Sequence, residues 1–288
     1  TLKLIDGVKL APLISQKELP PYLNVIVRLP ASAVANLAAQ PDVLSIHAYV
    51  EPQMLCERQG MIVSGNLIGN APSGPGYLNW LYSKGFTQSQ FTAAGFVVDV
   101  TDSAIGNGST NENHFGLRLQ GDLGQVSRVA YNRVEGTGGA SGGQGCDGHG
   151  NLNAHIIAGY TVSNGTPHVD GAGYHYGLGI CPFVRVGAST IFDPRYTNPD
   201  YENLISRAYR DGARISSDSW GASTGGDYDL SCQQYDALVR DAQPTASAVP
   251  VAGNQEMTIV FAAGNAGPGS ATVGSPSGGK NVLTVGAA

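Results

Sequence analysis

Three side chains capable of acid–base or electrophilic chemistry stand in short, distinctive contexts. They are Asp102 in VVDVTDSAIGNG (97–108), His149 in GCDGHGNLNAHIIAGY (145–160) and Asn265 in VFAAGNAGPGS (260–270). A carboxylate at the carboxyl edge of a sheet can orient an imidazole, fix its tautomer and stabilise the cation that forms when the ring takes a proton. The imidazole can take and return that proton. An amide NH2 can donate to an oxygen gaining charge, an effect of roughly 3 to 4 kcal/mol in such sites. Each residue also has a plainer reading: a turn-capping aspartate, a structural histidine at a helix start, and an asparagine in a left-handed turn. Asp99 rivals Asp102, but strand alternation puts it out of phase with that residue. His155 lies on the body of the same helix as His149, where packing or exposure to solvent is expected.

The elements that must position these residues follow from hydrophobic periodicity. Strand-like runs occupy 96–102, 125–134, 183–189, 213–219, 257–264 and 281–287, with helical patterns at 150–160, 201–211 and 232–241 between some of them. Such alternation implies an α/β fold: a mostly parallel sheet with helices on both faces, whose ligands bind beyond the carboxyl ends of the strands. Asp102 and Asn265 fall at such ends. His149 opens a helix whose Ala154, Ile156, Ile157 and Ala158 are expected to pack on the sheet. The glycine-rich run before it (136–148) lacks the Lys-Ser/Thr ending of a phosphate cradle, so a loop delivering His149 is expected.

The first fifty-odd residues read differently. LNVIVRL (23–29) is a strand-type run, ASAVANLAAQ (31–40) an alanine-rich helix stopped by Pro41, and VLSIHAYV (43–50) alternates like a half-buried strand. The expected organisation is therefore a small α+β unit over residues 1–56 preceding a larger domain over 57–288. A short amphipathic helix is expected at 77–86, ended by Gly85.

Composition narrows the function classes. The 288 residues are 42% hydrophobic and 13% charged, include 40 glycines and carry a net charge of −6. With no basic run, a nucleic-acid partner is not expected. No apolar stretch approaches the roughly 18 residues needed to span a membrane. The low charge and abundant turns suit a secreted, extracellular protein. Four cysteines, Cys56, Cys146, Cys181 and Cys232, form no CxxC pair and so no zinc-site spacing; their even number permits two disulfides without fixing which residues pair. Cys146 is read as structural, since a thiolate catalyst needs its own base and an electropositive pocket.

The order and contexts of VTDSAI, HGNLNA and AAGN resemble those of the subtilisin-like serine proteases, and particularly the large bacterial members of that family. The resemblance extends over roughly residues 57–288 through ICPFVRVGASTIFD (180–193), ARISSDSWG (213–221) and SPSGGKNVLTVGAA (275–288). It implies a serine endopeptidase that hydrolyses peptide bonds in proteins. Asp102 would orient His149, His149 would act as general base and acid, and Asn265 would be the oxyanion donor. Ser219, Trp220 and Gly221 would pair with an extended peptide substrate, and Ala262, Ala263 and Gly264 would form the opposite wall of the specificity pocket. The chemistry requires no cofactor. Calcium, often a structural ion in this family, finds no decisive ligand run here. The leading α+β unit resembles the end of a propeptide, implying a zymogen with its junction between Val50 and Asn66.

Two departures leave the catalytic groups in place: Ala104 stands where the family has glycine, and Asn151-Leu152 where it has Thr-His. A third is an absence. The family nucleophile lies in Gly-Thr-Ser-x-Ala, and no such stretch occurs here; GNGST (106–110) and GASTG (221–225) lie in the wrong context. The expectation is that the nucleophilic serine belongs to a C-terminal segment outside this chain, as a partner, and that this chain alone is inactive and prone to aggregate. The competing expectation is a non-catalytic, subtilase-like peptide-binding or scaffold protein. An unrelated α/β hydrolase is disfavoured by the missing Gly-x-Ser-x-Gly elbow.

Overall fold

The computed structural model describes residues 1–19, 22–44, 46, 57–139, 142–145 and 148–287. The chain divides into two compact units, Thr1–Met54 and Leu55–Ala288.

In the first unit, helix α1 (Leu2–Val8) precedes an antiparallel pair, β1 (Ser15–Leu19) and β2 (Tyr22–Ile26), and then helix α2 (Ala31–Ala38). Pro30 stands at the N-cap of α2, where its fixed φ is already compatible with the chain entering a helix. Ala33 and Leu37, one turn apart, are its buried residues. The N-terminal ammonium donates to Asp42 at 2.9 Å. The strand expected at 43–50 is not formed at residues 43, 44 and 46; the rest of that stretch lies outside the described residues.

The second unit begins with α3 (Glu57–Val63), a short hairpin of β3 (Leu67–Ile68) and β4 (Ala71–Pro72), α4 (Tyr77–Ser83) and α5 (Gln88–Ala94). Thr87 and Gln90 close a reciprocal capping box on α5, and Gly95 ends it at φ +63°. Strand β5 (Val97–Asp102) is followed by β6 (Val129–Val134), α6 (His149–Ala158) and β7 (Arg185–Thr190). Then come α7 (Tyr201–Arg210), β8 (Ala213–Asp218), α8 (Leu230–Arg240), β9 (Thr258–Ala262) and β10 (Leu283–Val285). The strands β10-β9-β8-β5-β7-β6, in that spatial order, form one parallel sheet.

Every residue of β5 is buried, because both faces of this central strand are covered. On one face Val98 and Val100 pack with Ala154 and Ala158 of α6 and with Val186 and Ala188 of β7. On the other, Val97 packs with Leu204, Ile205 and Ala208 of α7 and with Tyr235 and Leu238 of α8. Truncating one such fully buried leucine to alanine typically costs about 2–5 kcal/mol. Alternation therefore sends Asp99 toward α7 and α8 and Asp102 toward α6, which separates the two aspartates by environment.

Helix α6 differs from the sequence expectation in one respect. Ala154 and Ala158 are fully buried, but Ile156 is 45% exposed, because the i, i+4 stripe of Gly150, Ala154 and Ala158 faces the sheet instead. Only small residues allow that approach: a β-carbon on Gly150 would lie 2.5 Å from the Ala104 carbonyl oxygen. The C-terminal end of α6 is held by Arg128, which is fully buried. Its guanidinium donates to the carbonyls of Ala158 (2.6 Å), Gly116 (2.7 Å), Val184 (2.7 Å) and Arg118 (3.2 Å).

Glu57 anchors the start of this unit. Its carboxylate accepts from the backbone of Gly76 (2.7 Å), Tyr77 (2.8 Å) and His175 (2.6 Å). Burial pushes this carboxyl up, but the three backbone donors and the His175 ring outweigh it and hold the group below the ordinary glutamate value. Cys181 and Cys232 are free thiols, so two disulfides do not form; Cys56 and Cys146 lie outside the described residues. No helix among the described residues is long and apolar enough to cross a membrane.

Candidate active site

Asp102 is the last residue of β5 and His149 the first of α6, so the strand end and the helix start bring them together. Nδ1 of His149 lies 2.8 Å from Oδ1 and 2.9 Å from Oδ2 of Asp102. A carboxylate can only accept, so Nδ1 carries the hydrogen and the lone pair of the neutral ring resides on Nε2. The Asp102 side chain is 4% exposed and that of His149 51%, which leaves the carboxylate sheltered and the imidazole facing the cleft.

Two further groups fix the carboxylate. The Ser103 amide donates to Oδ1 at 2.7 Å, and the Asn153 amide nitrogen donates to Oδ2 at 3.0 Å. Asn153 escaped the sequence reading; its signal is the i+4 spacing from His149 on one helix face. Ser103 also supplies the cap that Gly148 cannot. Gly148, the N-cap of α6, has no side chain to offer, and Ser103 Oγ accepts from the Gly150 amide at 3.1 Å. Between these partners the chain turns at Ala104, whose φ of +82° lies in the left-handed region that glycine occupies at no steric cost. This is the position where the family pattern carries glycine.

Asp102 and His149 open onto a cleft of about 440 Å³, also lined by Ser219, Trp220, Gly221, Ala262, Ala263, Gly264 and Asn265. The structure thus gathers the residues singled out in the sequence around one cavity at the carboxyl end of the sheet. Ser219, Trp220 and Gly221 follow β8, and Ala263, Gly264 and Asn265 follow β9. Gly264 turns at φ +97°, a value that favours glycine, and Asn265 is exposed. Sequence reasoning did not assign Ser103, Phe192, Ala222, Ser223, Ala266, Thr272, Gly274 and Ser277, which complete the lining. The 222–275 contact is an isolated antiparallel bridge, with Ala222 and Ser275 exchanging backbone bonds of 2.8 and 2.9 Å.

The rival candidates lie elsewhere. Asp99 is fully buried on the opposite face of the sheet and accepts from Tyr131 (2.7 Å), Ser189 (2.8 Å) and Thr101 (2.8 Å). His155 donates from Nδ1 to the Asn151 carbonyl at 2.8 Å and sets Nε2 2.9 Å from Nδ1 of His114, so it is packed. Among the described residues, no group of three or more His, Cys, Asp or Glu side chains is placed to hold a metal ion.

Residues 93–288 match a family described as the subtilase family. The chain belongs to the subtilase family. No curated protein matches the chain. Among solved structures, the psychrophilic subtilisin-like protease Apa1 from the Antarctic psychrotroph Pseudoalteromonas sp. AS-11 is 14% identical, with a TM-score of 0.44 over 72% of this chain and 38% of that one. MycP1 from Mycobacterium smegmatis is 20% identical, with a TM-score of 0.39 over 76% and 58%. The CspB protease of Clostridium perfringens is 13% identical, with a TM-score of 0.40 over 62% and 38%. This subtilase chain therefore spans less than two thirds of the length of each of these relatives.

Proposed function

We propose that this chain is the base-bearing part of a subtilisin-like serine endopeptidase, acting on peptide bonds in proteins. The observation that carries the reading is the bonding of His149 Nδ1 to both Asp102 oxygens at the mouth of the cleft. That bond leaves Nε2 as the basic nitrogen. It takes the proton of a serine hydroxyl as the oxygen attacks the substrate carbonyl, then returns it to the departing amine. Asp102 stabilises the imidazolium between the two steps. Asn265 donates its amide N–H to the oxyanion. Ser219, Trp220 and Gly221 add the substrate as an extended strand, giving affinity through the backbone, while Ala262, Ala263 and Gly264 wall the pocket that selects its side chain.

The nucleophilic serine lies outside these 288 residues, which contain no Gly-Thr-Ser-x-Ala sequence. The same absence supports a second reading, a subtilase-like module that binds peptides without cleaving them. Residues 1–56 act in the first reading as a propeptide of a secreted zymogen. Their junction falls before Glu57, whose buried carboxylate is bonded to Gly76, Tyr77 and His175 of the larger unit. The reaction requires no calcium, and no step passes through it.

Hydrolysis of a fluorogenic peptide by the protein carrying the Gly-Thr-Ser segment tests the reading. Turnover that disappears in His149→Ala supports the endopeptidase. Saturable peptide binding in the cleft with no turnover favours the binding module.

A further inference from the structure

Two histidines outside the cleft take no part in the chemistry above. His114 is exposed on the segment that follows β5, and His155 is partly buried on α6. Nε2 of His155 lies 2.9 Å from Nδ1 of His114. Because His155 Nδ1 donates to the Asn151 carbonyl at 2.8 Å, its neutral ring presents a lone pair at Nε2. Nδ1 of His114 accepts the Gly116 amide at 3.1 Å, so it presents a lone pair as well. Phe115 stacks on the His114 ring, with centroids 4.7 Å apart, and orients it. Two lone pairs thus face a common space, an arrangement that holds only if something positive is shared between them.

The shape of the contact favours a metal ion over a proton. A hydrogen bond between two imidazoles is strongest with the N–H and the lone pair in line, which at this length sets the ring centroids about 5.2 Å apart. Here the centroids are 4.5 Å apart and the rings stand at 87°, so the lone pairs do not point along the line joining the nitrogens. Two imidazole nitrogens bound to one ion at about 2.0 to 2.1 Å, with their bonds at about 90°, also stand about 2.9 Å apart. That is the angle of square-planar and octahedral ions, whereas tetrahedral zinc spreads such a pair to about 3.4 Å. Gly116 leaves room beside the nitrogens, since a β-carbon there would stand 3.1 Å from each. We propose that His114 and His155 form a two-histidine site for a square-planar or octahedral divalent ion of the nickel(II) or copper(II) class. The bound ion clips the segment after β5 to α6.

The Asn151 carbonyl holds His155 in the tautomer and orientation that a metal-bound histidine needs. The nearby charges oppose one another. Glu112 favours a cation: its Oε1 accepts the amides of Asn113 and His114, and its Oε2 is buried without a partner. Arg128 acts on His155 in the opposite sense. Among the described residues no third His, Cys, Asp or Glu completes the set, so water reaching the exposed His114 fills the remaining positions. The ion takes over the lone pair that the Gly116 amide holds, the longest of the three polar contacts at the pair. The clip joins the same two segments that Asp102 and His149 join, the chain leaving β5 and helix α6. Its value to catalysis rests on the endopeptidase reading; the site itself does not.

The test is a calorimetric titration of nickel(II) into the protein as its gene encodes it, at pH 8, where imidazoles of ordinary value, about 6.5, are neutral. The unaltered protein is expected to bind the ion, with affinity at least about tenfold weaker in His114→Ala and in His155→Ala and unchanged in His168→Ala. Because the ion binds the folded state, it should also raise the urea midpoint of the unaltered protein and leave that of His114→Ala where it was. His114 is exposed, so its variant decides the matter if His155→Ala does not fold. No binding, or binding equally tight in His114→Ala, overturns the proposal, and a pair that shares only a proton gives that result. Failure of peptide turnover would instead count against the endopeptidase reading and leave the nickel result standing.

Discussion

Asp102 and His149, 47 residues apart in sequence, meet through both carboxylate oxygens at one imidazole nitrogen, 2.8 and 2.9 Å away. The strand end fixes one partner, the helix start fixes the other, and Ser103 bonds to both segments. If the pair is the proton-handling device of an endopeptidase, Asp102→Asn should leave the fold intact and lower kcat by about 10⁴-fold, because an asparagine can present its N–H to Nδ1 and invert the tautomer. Circular dichroism and peptide turnover, measured on the serine-containing protein, check the two halves of this expectation.

Asn153 is predicted to act through Asp102. Asn153→Ala removes the donor at 3.0 Å, and with it about 1 to 2 kcal/mol of carboxylate positioning, which should appear as a roughly tenfold fall in kcat with KM nearly unchanged. A rise in KM alone would place Asn153 at the substrate instead.

How far these relationships were legible in the sequence depends on the residue. Asp102 was readable because a hydrophobic strand runs straight into it, and period two separates it from Asp99. His149 was readable from the glycines around it and the small residues that follow. Asn153 was hidden, since an asparagine in a helix body has no local signature until its i−4 neighbour is known to be bonded. The peripheral elements were harder still: α1, β1, α3 and α5 are short, and their patterns of apolar residues fit neither period over enough turns to stand out. In α6, the expected burial of Ile156 failed because the contact depends on close approach at Gly150, Ala154 and Ala158, a tertiary preference that hydrophobicity alone does not encode.

Arg128 should be far more important to stability than a surface arginine. Its guanidinium donates to four carbonyls, three of them buried and among these Ala158 at the end of the helix that carries His149, and burial lowers it only to about 10, so it remains charged at neutral pH. Arg128→Met removes the guanidinium donor from the Ala158 and Val184 carbonyls, while the Gly116 and Arg118 carbonyls keep the amides of Tyr160 and Gly121, and is expected to cost about 3 to 5 kcal/mol, read as a lower urea midpoint.

The Glu57 carboxylate should make the larger unit acid-sensitive. Because the folded value lies below the unfolded 4.5, its contribution is present above that pH and is lost as pH falls through the folded value. Glu57→Gln should therefore be less stable than the unaltered chain at pH 7, and the gap should narrow as pH is lowered below about 4.5 in denaturant melts. A gap independent of pH would show that the loss comes from packing instead of charge.

Gly221 should tolerate no side chain. An added β-carbon would lie 2.9 Å from the Ser275 carbonyl oxygen, so Gly221→Val must displace the 222–275 bridge that borders the cleft. Peptide affinity is expected to fall at least about tenfold, the equivalent of about 1.4 kcal/mol, while the urea midpoint moves less than for Arg128→Met. Titration with a non-cleavable peptide measures it.

The most direct test of the central claim is covalent labelling by a serine-directed fluorophosphonate of the protein as its gene encodes it. The account predicts stoichiometric labelling of a serine in a Gly-Thr-Ser segment beyond these 288 residues, slowed by several orders of magnitude in His149→Ala. No labelling, or labelling at an unchanged rate in His149→Ala, would contradict it.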